Sequence, residues 1–248
     1  MHLGKATRGR SAAQIDASAQ VEAVPSLGLQ PSGAAIRATG IGAEDLMHAT
    51  AHRRPFTAAG WTFEMKLDGL RVLSRRVNDR EHLLSRRGRS LAPAFPELAE
   101  LLGQIPDEWV LDGAIVLPDV PGQTDTEALR RRAIFKLRSM LSAAPDNQAR
   151  LCLFDMLFKD GHDLRSLPLS ERQVWLSALA MPRPGLQIVS SLESRGHALF
   201  DQAVAMDLEG IVAKRLDSPY RAGRQETWLK IKNPAYSRRE PLGWFRSG

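Results

Sequence analysis

Residues 61–77 read WTFEMKLDGLRVLSRRV, and this stretch carries the clearest structural pattern in the chain. Large apolar and polar side chains alternate over 61–66, which is typical of a half-buried strand. One predicted face holds Trp61, Phe63 and Met65, and the other holds Thr62, Glu64 and Lys66. Asp68-Gly69 is a turn dipeptide, and a second strand-like run occupies 70–77. The stretch predicts two strands joined by a tight turn, with Lys66 at the end of the first.

Lys66 has two interpretations at this position. In an ordinary hairpin it would face solvent and have no chemical role. As a nucleophile it would have to be neutral, so its pKa would have to be lowered by burial or by neighbouring cations. The choice depends on whether the rest of the chain brings cations to Lys66.

The composition is that of an ordinary globular protein with an excess of positive charge. Of 248 residues, 43% are hydrophobic and 25% are charged. The net charge of +6 mildly favours a polyanionic partner such as nucleic acid. The single cysteine, Cys152, lies in an apolar run and is interpreted as a buried small hydrophobe. No apolar run is long enough to span a membrane and no secretory signal is present, so a cytoplasmic protein without membrane association is predicted.

Eight strand-like runs are predicted after residue 60. They cover 61–66, 70–77, 81–86, 109–117, 151–158, 186–189, 210–214 and 228–232. Early hairpin-like strands mixed with later helices favour an α+β fold with largely antiparallel sheets flanked by helices. No linker divides 45–235, which predicts one domain. Residues 1–40 are predicted to be a mobile leader, and 236–248 a short tail.

Three capping boxes predict helix starts between the strands. They pair Thr124 with Glu127, Ser170 with Gln173, and Ser190 with Glu193. The helix after Thr124 has a basic face, which is either a solvated surface or a contact for a phosphate backbone. His48 and His52 would share one face of a helix. The lack of a third ligand and of an H-E-x-x-H pattern disfavours a metal site there.

Three further stretches bring charged groups to strand ends. Residues 84–89 read LSRRGR, residues 209–214 read EGIVAK, and residues 228–232 read WLKIK. With Lys66 they would form a pocket of several amines and a few carboxylates, which suits a nucleoside triphosphate and its divalent metal. The chain has neither a G-x-x-x-x-G-K-[ST] nor a G-x-G-x-x-G motif, so side-chain amines would hold the phosphates.

The ordered set of stretches resembles the covalent nucleotidyltransferase superfamily of ATP-dependent DNA ligases, RNA ligases and mRNA capping enzymes, whose domain is ATP-grasp-like. Within it, the sequence is most similar to the ligase domain of bacterial end-joining DNA ligases, over about 60–235. The matching stretches are Glu64–Arg71 (E-x-K-x-D-G-x-R), Ser85–Gly88 (S-R-N-G), Leu111–Val116 (L-D-G-E-I-V), Phe154–Leu157 (F-D-x-L), Glu209–Lys214 with Ser218–Arg221 (E-G-I-V-A-K and S-P-Y-R), and Trp228–Lys232 (W-L-K-I-K). Six motifs in the family's order make the resemblance specific.

The resemblance implies roles for the matching residues. Lys66 would attack the α-phosphate of ATP to form a lysyl–AMP phosphoramidate, and AMP would then pass to a DNA 5′-phosphate. Lys230 and Lys232 would contact the α-phosphate and help to keep Lys66 neutral. Glu209 would bind Mg²⁺ or Mn²⁺. The other nucleotide-binding residues that the resemblance implies are Glu64, Arg71, Arg86, Lys214 and Phe154, which would stack on the adenine.

Three features depart from the family pattern. Ala114 stands where the family has a glutamate linked to the ribose, and losing such a charge-assisted hydrogen bond costs about 1.5–3 kcal/mol of binding free energy. Arg87 replaces the asparagine of S-R-N-G and adds a cation. Only 16 residues follow Lys232, too few for the OB-fold domain into which the family's ligases continue. The expectation is an adenylation domain that is weak alone, unless a separate OB-fold chain assists it.

Three functions fit this pattern. The first is an ATP-dependent DNA ligase that repairs nicked or broken double-stranded DNA, with a Ku-like end-binding protein as a candidate partner. The second is an RNA ligase or a capping-type guanylyltransferase, which the likeness of 209–232 to the end-joining ligases disfavours. The third is a non-catalytic paralogue that binds nucleotide or DNA. Retention of Lys66, Glu209, Lys230 and Lys232 favours the first function over the third.

Overall fold

The structure of the protein, a computed structural model, describes residues 38–116, 149–179 and 185–237. The predicted basic helix after Thr124 and the tail beyond residue 237 lie outside these residues. So does the predicted leader, apart from residues 38–40, which form a short 3-10 turn with Ala38 fully buried. No helix within the described ranges combines the length and the hydropathy that crossing a membrane demands.

Eleven strands and three α-helices occur in the described residues. The strands are β1 (Met47–His52), β2 (Trp61–Met65), β3 (Leu70–Val77), β4 (Arg80–Ser85), β5 (Trp109–Val116), β6 (Arg150–Lys159), β7 (His162–Asp163), β8 (Leu186–Ile188), β9 (Ser191–Glu193), β10 (Gly210–Arg215) and β11 (Gly223–Lys232). The helices are α1 (Pro96–Gly103), α2 (Leu169–Ala178) and α3 (Gly196–Ala205). All eight predicted strands are present, β3 with the predicted ends and the others with shifted ends, whereas β1, β7 and β9 have no counterpart in the prediction.

The strands form two sheets. The five-stranded sheet has the order β1-β11-β10-β2-β9, and the six-stranded sheet has the order β4-β3-β5-β6-β7 with β8 beside β6. Among the strands of the described residues, only the pairs β1–β11 and β6–β8 are parallel. The prediction of an α+β fold with largely antiparallel sheets is therefore confirmed.

The two sheets pack face to face, and helices cover their outer sides. Helices α1 and α2 pack on the outer face of the six-stranded sheet, in a cluster that includes Leu98, Leu102, Leu176, Leu111 and Ile115. Helix α3 covers the five-stranded sheet through Leu199 and Ala203. The cluster between the sheets includes Met47, Leu73, Val110, Phe158, Tyr220 and Trp228. Alternation along β3 explains this layering, because Val72 faces the helices while Leu73 faces the other sheet.

The prediction of a tight hairpin at Asp68-Gly69 is wrong. Strand β2 pairs with β10 and β9, whereas β3 pairs with β4 and β5. Since both edges of each strand are occupied, β2 and β3 cannot pair, and residues 66–69 carry the chain from one sheet to the other. Gly69 fits this crossing, because a Cβ there would lie 2.3 Å from the carbonyl oxygen of Ile115. Lys66 therefore lies where the chain passes between the sheets.

Strand β2 is buried on both faces instead of being half-buried as predicted. Thr62, Phe63 and Glu64 are each at most 3% exposed. The alternation does separate two faces, but the polar face looks into the space between the sheets and not into solvent. Glu64 on that face meets Lys214 from β10, which is equally buried.

The two predicted capping boxes within the described residues do not cap helices. Helix α2 begins at Leu169, so Ser170 lies inside its first turn. The segment after Ser190 forms β9 and pairs with β2, because the backbone hydrogen bonds of an additional strand outweigh a local capping pattern. His48 and His52 lie on strand β1, so the prediction that they share one face of a helix is wrong.

Candidate active site

A cavity of about 490 Å³ lies between the two sheets. Its walls come from seven strands, so residues that are distant in sequence meet there. The cationic side chains on these walls are Lys66, Arg71, Arg86, Lys214, Arg224 and Lys230, and the walls also include His48, Glu64, Ala114, Phe154 and Trp228. Every residue predicted to bind nucleotide lines this cavity except Lys232. Glu209 reaches the site through its contact with Lys66.

Lys66 lies immediately after β2 and forms an ion pair with Glu209. Both side chains are 19% exposed, so the pair is shielded from bulk solvent without being sealed. The backbone N–H of Lys66 donates a 2.9 Å hydrogen bond to the carbonyl of Gly210. Gly210 has a φ of 132°, and a Cβ there would lie 2.1 Å from the carbonyl oxygen of Ile231. Glycine at this position lets the chain bring Glu209 against Lys66.

Lys230 and Lys232 alternate on β11 as predicted, but their environments differ. Lys230 lines the cavity, whereas the side chain of Lys232 is 64% exposed and lies 4.0 Å from Glu209. Burial lowers the pKa of Lys230, and the charges of Arg224 and Lys66 lower it further. Because a bound anion would relieve this repulsion between cations, the wall around Lys230 is suited to a phosphate group.

Glu64 and Lys214 form a buried ion pair with a distance of 2.7 Å. Burial raises the pKa of Glu64, and the charge of Lys214 opposes this shift. The Nζ atom of Lys214 also lies 4.5 Å from the ring centroid of Phe154 and 4.4 Å from that of Trp228. Lys214 therefore binds a carboxylate and two aromatic rings, and it helps to build the wall on which a nucleotide would rest.

Arg71 is anchored by Asp112 from β5. The Nε atom lies 2.6 Å from one carboxylate oxygen, and a terminal nitrogen lies 2.5 Å from the other. Asp112 is fully buried and also accepts a 2.6 Å hydrogen bond from the hydroxyl of Tyr220. The guanidinium donates to the carbonyl of Met47 and lies 4.6 Å from the ring centroid of Phe154. Most donors of Arg71 are thus engaged within the protein, which fixes the guanidinium against the cavity.

A β-bulge directs Phe154 into the cavity. The pairing of β6 with β5 skips two residues of β6, Leu157 and Phe154, and of these Phe154 lines the cavity. Its ring packs edge-on against Trp228, with the centroids 6.1 Å apart. The neighbouring Asp155 is fully buried and accepts two 2.8 Å hydrogen bonds from Arg172. The bulge and this ion pair together set the position of the aromatic ring.

Arg86 and Arg224 are exposed cations on the rim of the cavity. Neither forms an ion pair with an acidic side chain of the described residues. Arg86 follows β4 as predicted, whereas Arg87 is not part of the cavity wall. Sequence reasoning missed Arg224, because its place beside Arg86 and Lys230 depends on the pairing of β11 with β1 and β10.

His48 and Ala114 are two further residues of the cavity wall. His48 is half-buried on β1. Burial lowers the pKa of His48, and the charges of Arg86 and Arg71 lower it further, so the imidazole is neutral at pH 7. Ala114 is 6% exposed and lies opposite Arg71 in the pairing of β5 with β3. Its methyl group presents no polar atom to the cavity.

The residues near Lys66 would fit a metal ion whose ligands come mainly from a bound nucleotide. Within the described ranges no group of three or more His, Cys, Asp or Glu side chains is arranged to hold a metal ion. Mg²⁺ in nucleotide sites commonly uses one or two carboxylates, with phosphate oxygens and water as its other ligands. The partly exposed carboxylate of Glu209 can supply the one protein carboxylate that such a metal site needs.

Two facing sheets around a lysine-lined cavity are the architecture of a nucleotidyltransferase domain. The solved structure of a mycobacterial DNA ligase D complexed with ATP and MES is similar to this fold, with a TM-score of 0.61 and 28% sequence identity. The similarity covers 76% of this chain and 60% of the mycobacterial one. Residues 44–232, more than half of the chain, match the sequence profile of the ATP dependent DNA ligase domain. The chain belongs to this family.

Curated relatives agree with this assignment. The SPbeta prophage-derived DNA ligase-like protein LigB of Bacillus subtilis is 32% identical over 193 residues, which are 77% of this chain and 67% of LigB. The multifunctional non-homologous end joining protein LigD of Pseudomonas aeruginosa is 32% identical over 176 residues, covering 69% of this chain and 20% of LigD. The chain thus spans about two thirds of one relative and a fifth of the other.

Proposed function

We propose that this chain is the adenylation domain of an ATP-dependent DNA ligase and that Lys66 carries AMP as a covalent intermediate. The observation that carries the proposal is the position of Lys66. Its amine lies on the wall of a cavity lined by cations, beside Lys230 and in contact with Glu209. Membership of the ligase family supports ATP as the nucleotide and DNA as the substrate class.

In the proposed first step, Nζ of Lys66 forms a bond to the α-phosphorus of ATP. The bond from that phosphorus to the bridging oxygen breaks, and pyrophosphate leaves with the electron pair. The proton of the amine passes to solvent or to the carboxylate of Glu209. Lys230 is placed to offset the charge of the α-phosphate. A bound Mg²⁺, for which Glu209 is the proposed ligand, would supply further charge neutralisation.

In the proposed later steps, AMP passes from Lys66 to a DNA 5′-phosphate and leaves when a 3′-hydroxyl attacks. Arg86 and Arg224 support this assignment, because they are exposed at the rim of the cavity and form no ion pair with an acidic side chain of the described residues. Cations of this kind hold the sugar-phosphate backbone without reading its sequence. A Ku-like protein and a separate OB-fold chain remain candidate partners.

A non-catalytic paralogue is the second candidate function, and Ala114 is the observation that favours it. The cavity lacks a carboxylate at this position, where the family pattern has glutamate, so the nucleotide would be held less tightly. The assembled site argues against this function, because Lys66 and Lys230 line the same cavity although they are far apart in the chain.

The proposed function is tested with ATP labelled at the α-phosphate in one sample and at the γ-phosphate in another. We expect the denatured protein to retain α-label and no γ-label, and acid to release the retained label. A nicked DNA duplex should discharge the label, whereas discharge by nicked RNA instead would favour an RNA ligase. If neither ATP nor GTP transfers α-label to the protein, even with excess pyrophosphatase, both enzymatic functions are refuted and the non-catalytic function is favoured.

Ala114→Glu is expected to tighten ATP binding about tenfold, because the new carboxylate would accept a charge-assisted hydrogen bond from the ribose. The position faces the cavity and lies across from Arg71, so the longer side chain can enter the open space. Titration with ATP measures the dissociation constant of the variant. Ala114→Gln is the matched control, since it adds similar volume without charge. Equal affinities of Ala114→Glu and the parent protein would refute the ribose interpretation.

A further inference from the structure

Several charged side chains on the cavity wall already have a partner within the protein. Lys66 is paired with Glu209, Arg71 with Asp112, and Lys214 with Glu64. Among the cavity-lining residues that the structure describes, His48 and Glu64 have the only side-chain groups with strong hydrogen-bond acceptors. Glu64 can accept from a ligand only at the expense of its buried ion pair. His48 is therefore the wall side chain that can accept a hydrogen bond without breaking an existing one.

The backbone around His48 is held firmly. The preceding residue, Met47, accepts a hydrogen bond from Arg71 through its carbonyl and receives one from the hydroxyl of Tyr220 through its N–H. Strand β1 pairs in parallel with β11, with His48 opposite Arg224. The backbone that carries the imidazole is therefore fixed in the cavity wall, next to the strand that carries Lys230.

The chemistry of this position suits a hydroxyl group. A neutral imidazole has one N–H donor and one acceptor nitrogen, which matches a hydroxyl, itself both a donor and an acceptor. The cations of the wall suit phosphates instead. Ala114 and the adjoining wall of β5 offer no competing acceptor, since Asp112 is fully buried beneath Arg71.

We propose that His48 binds a ribose hydroxyl of the nucleotide and thereby selects ribonucleotides over deoxyribonucleotides. This inference rests on the proposed function, because it assumes that the cavity holds ATP. It assigns the ribose contact to β1, on the opposite sheet from the strand that carries Ala114. The proposal concerns selection among nucleotides and leaves the role of Lys66 unchanged.

The test compares ATP with 2′-deoxyATP and 3′-deoxyATP, in the parent protein and in His48→Ala. We expect the parent to bind ATP about five- to tenfold more tightly than at least one of the deoxynucleotides, which corresponds to one hydrogen bond. In His48→Ala this preference should fall to about one- to twofold, because ATP binding weakens while binding of that deoxynucleotide does not. Calorimetry gives the dissociation constant of each nucleotide, and the ratio of the deoxynucleotide constant to the ATP constant measures the preference.

Two variants make the result specific. His48→Asn keeps a donor and an acceptor and should retain part of the preference. His52→Ala removes an imidazole from the same strand at a position outside the cavity and should leave the ratio unchanged. An undiminished preference in His48→Ala, or no preference in the parent, would overturn the assignment of His48. A parent protein that neither binds ATP nor takes α-label would instead overturn the proposed function itself.

Discussion

Lys66→Ala is expected to abolish covalent labelling by α-labelled ATP, with a loss of roughly a thousandfold or more. The reason is that the variant has no amine to form the bond to the α-phosphorus. Nucleotide binding should persist, because Lys230, Arg86 and Arg224 still line the cavity. The rate of label incorporation and the ATP dissociation constant are measured on the same preparation.

Lys66→Arg is the matched control for this result. It keeps a cation next to Glu209, so the ion pair and the local fold should be preserved. A guanidinium remains protonated at any accessible pH and cannot attack phosphorus, so labelling should again be absent. Label retained by either variant would place the nucleophile on another side chain.

Asp155→Ala is expected to lower the free energy of unfolding by about 3–5 kcal/mol, because it leaves the charge of Arg172 buried without a counter-ion. Both side chains are fully buried and share two 2.8 Å hydrogen bonds. Arg172 also donates to the carbonyls of Leu167 and Ser218, so this ion pair connects β6, α2 and the loop after β10. Urea denaturation of the variant and the parent measures the difference.

Two controls separate charge from packing in this experiment. The double variant Asp155→Leu with Arg172→Met removes both charges, and it should be more stable than Asp155→Ala alone. Asp217→Asn weakens a similar two-point pair with Arg215 at the surface and should leave the unfolding midpoint unchanged. A double variant as unstable as the single one would show that packing, and not the unpaired charge, dominates.

The strands could be predicted from the sequence because their signal is local. The alternation in 61–66 and the apolar run over 109–117 correspond to β2 and β5 with small shifts at the ends. Pairing could not be predicted in the same way. Asp68-Gly69 has the composition of a hairpin turn, yet β2 and β3 find their partners in different sheets. Which strands pair with β2 and with β3 depends on residues that are distant in the chain.

The same distinction applies to the candidate site. The motifs single out Lys66, Glu209 and Lys230, which the structure brings together, because charged residues at strand ends are visible in the sequence. The burial of Glu64 against Lys214 is not visible, since 150 residues separate the two partners. His48 and Arg224 also escape detection, because only the parallel pairing of β1 with β11 places them on the cavity wall.

Lys66 is the proposed AMP acceptor, and peptide mapping by tandem mass spectrometry tests this role most directly. The protein is incubated with ATP and Mg²⁺, digested at neutral to alkaline pH to preserve a phosphoramidate, and fragmented. The proposed mechanism predicts AMP on Nζ of Lys66 and on no other residue. AMP on Lys230, Lys232 or Lys214, or a protein that remains unmodified, would contradict it.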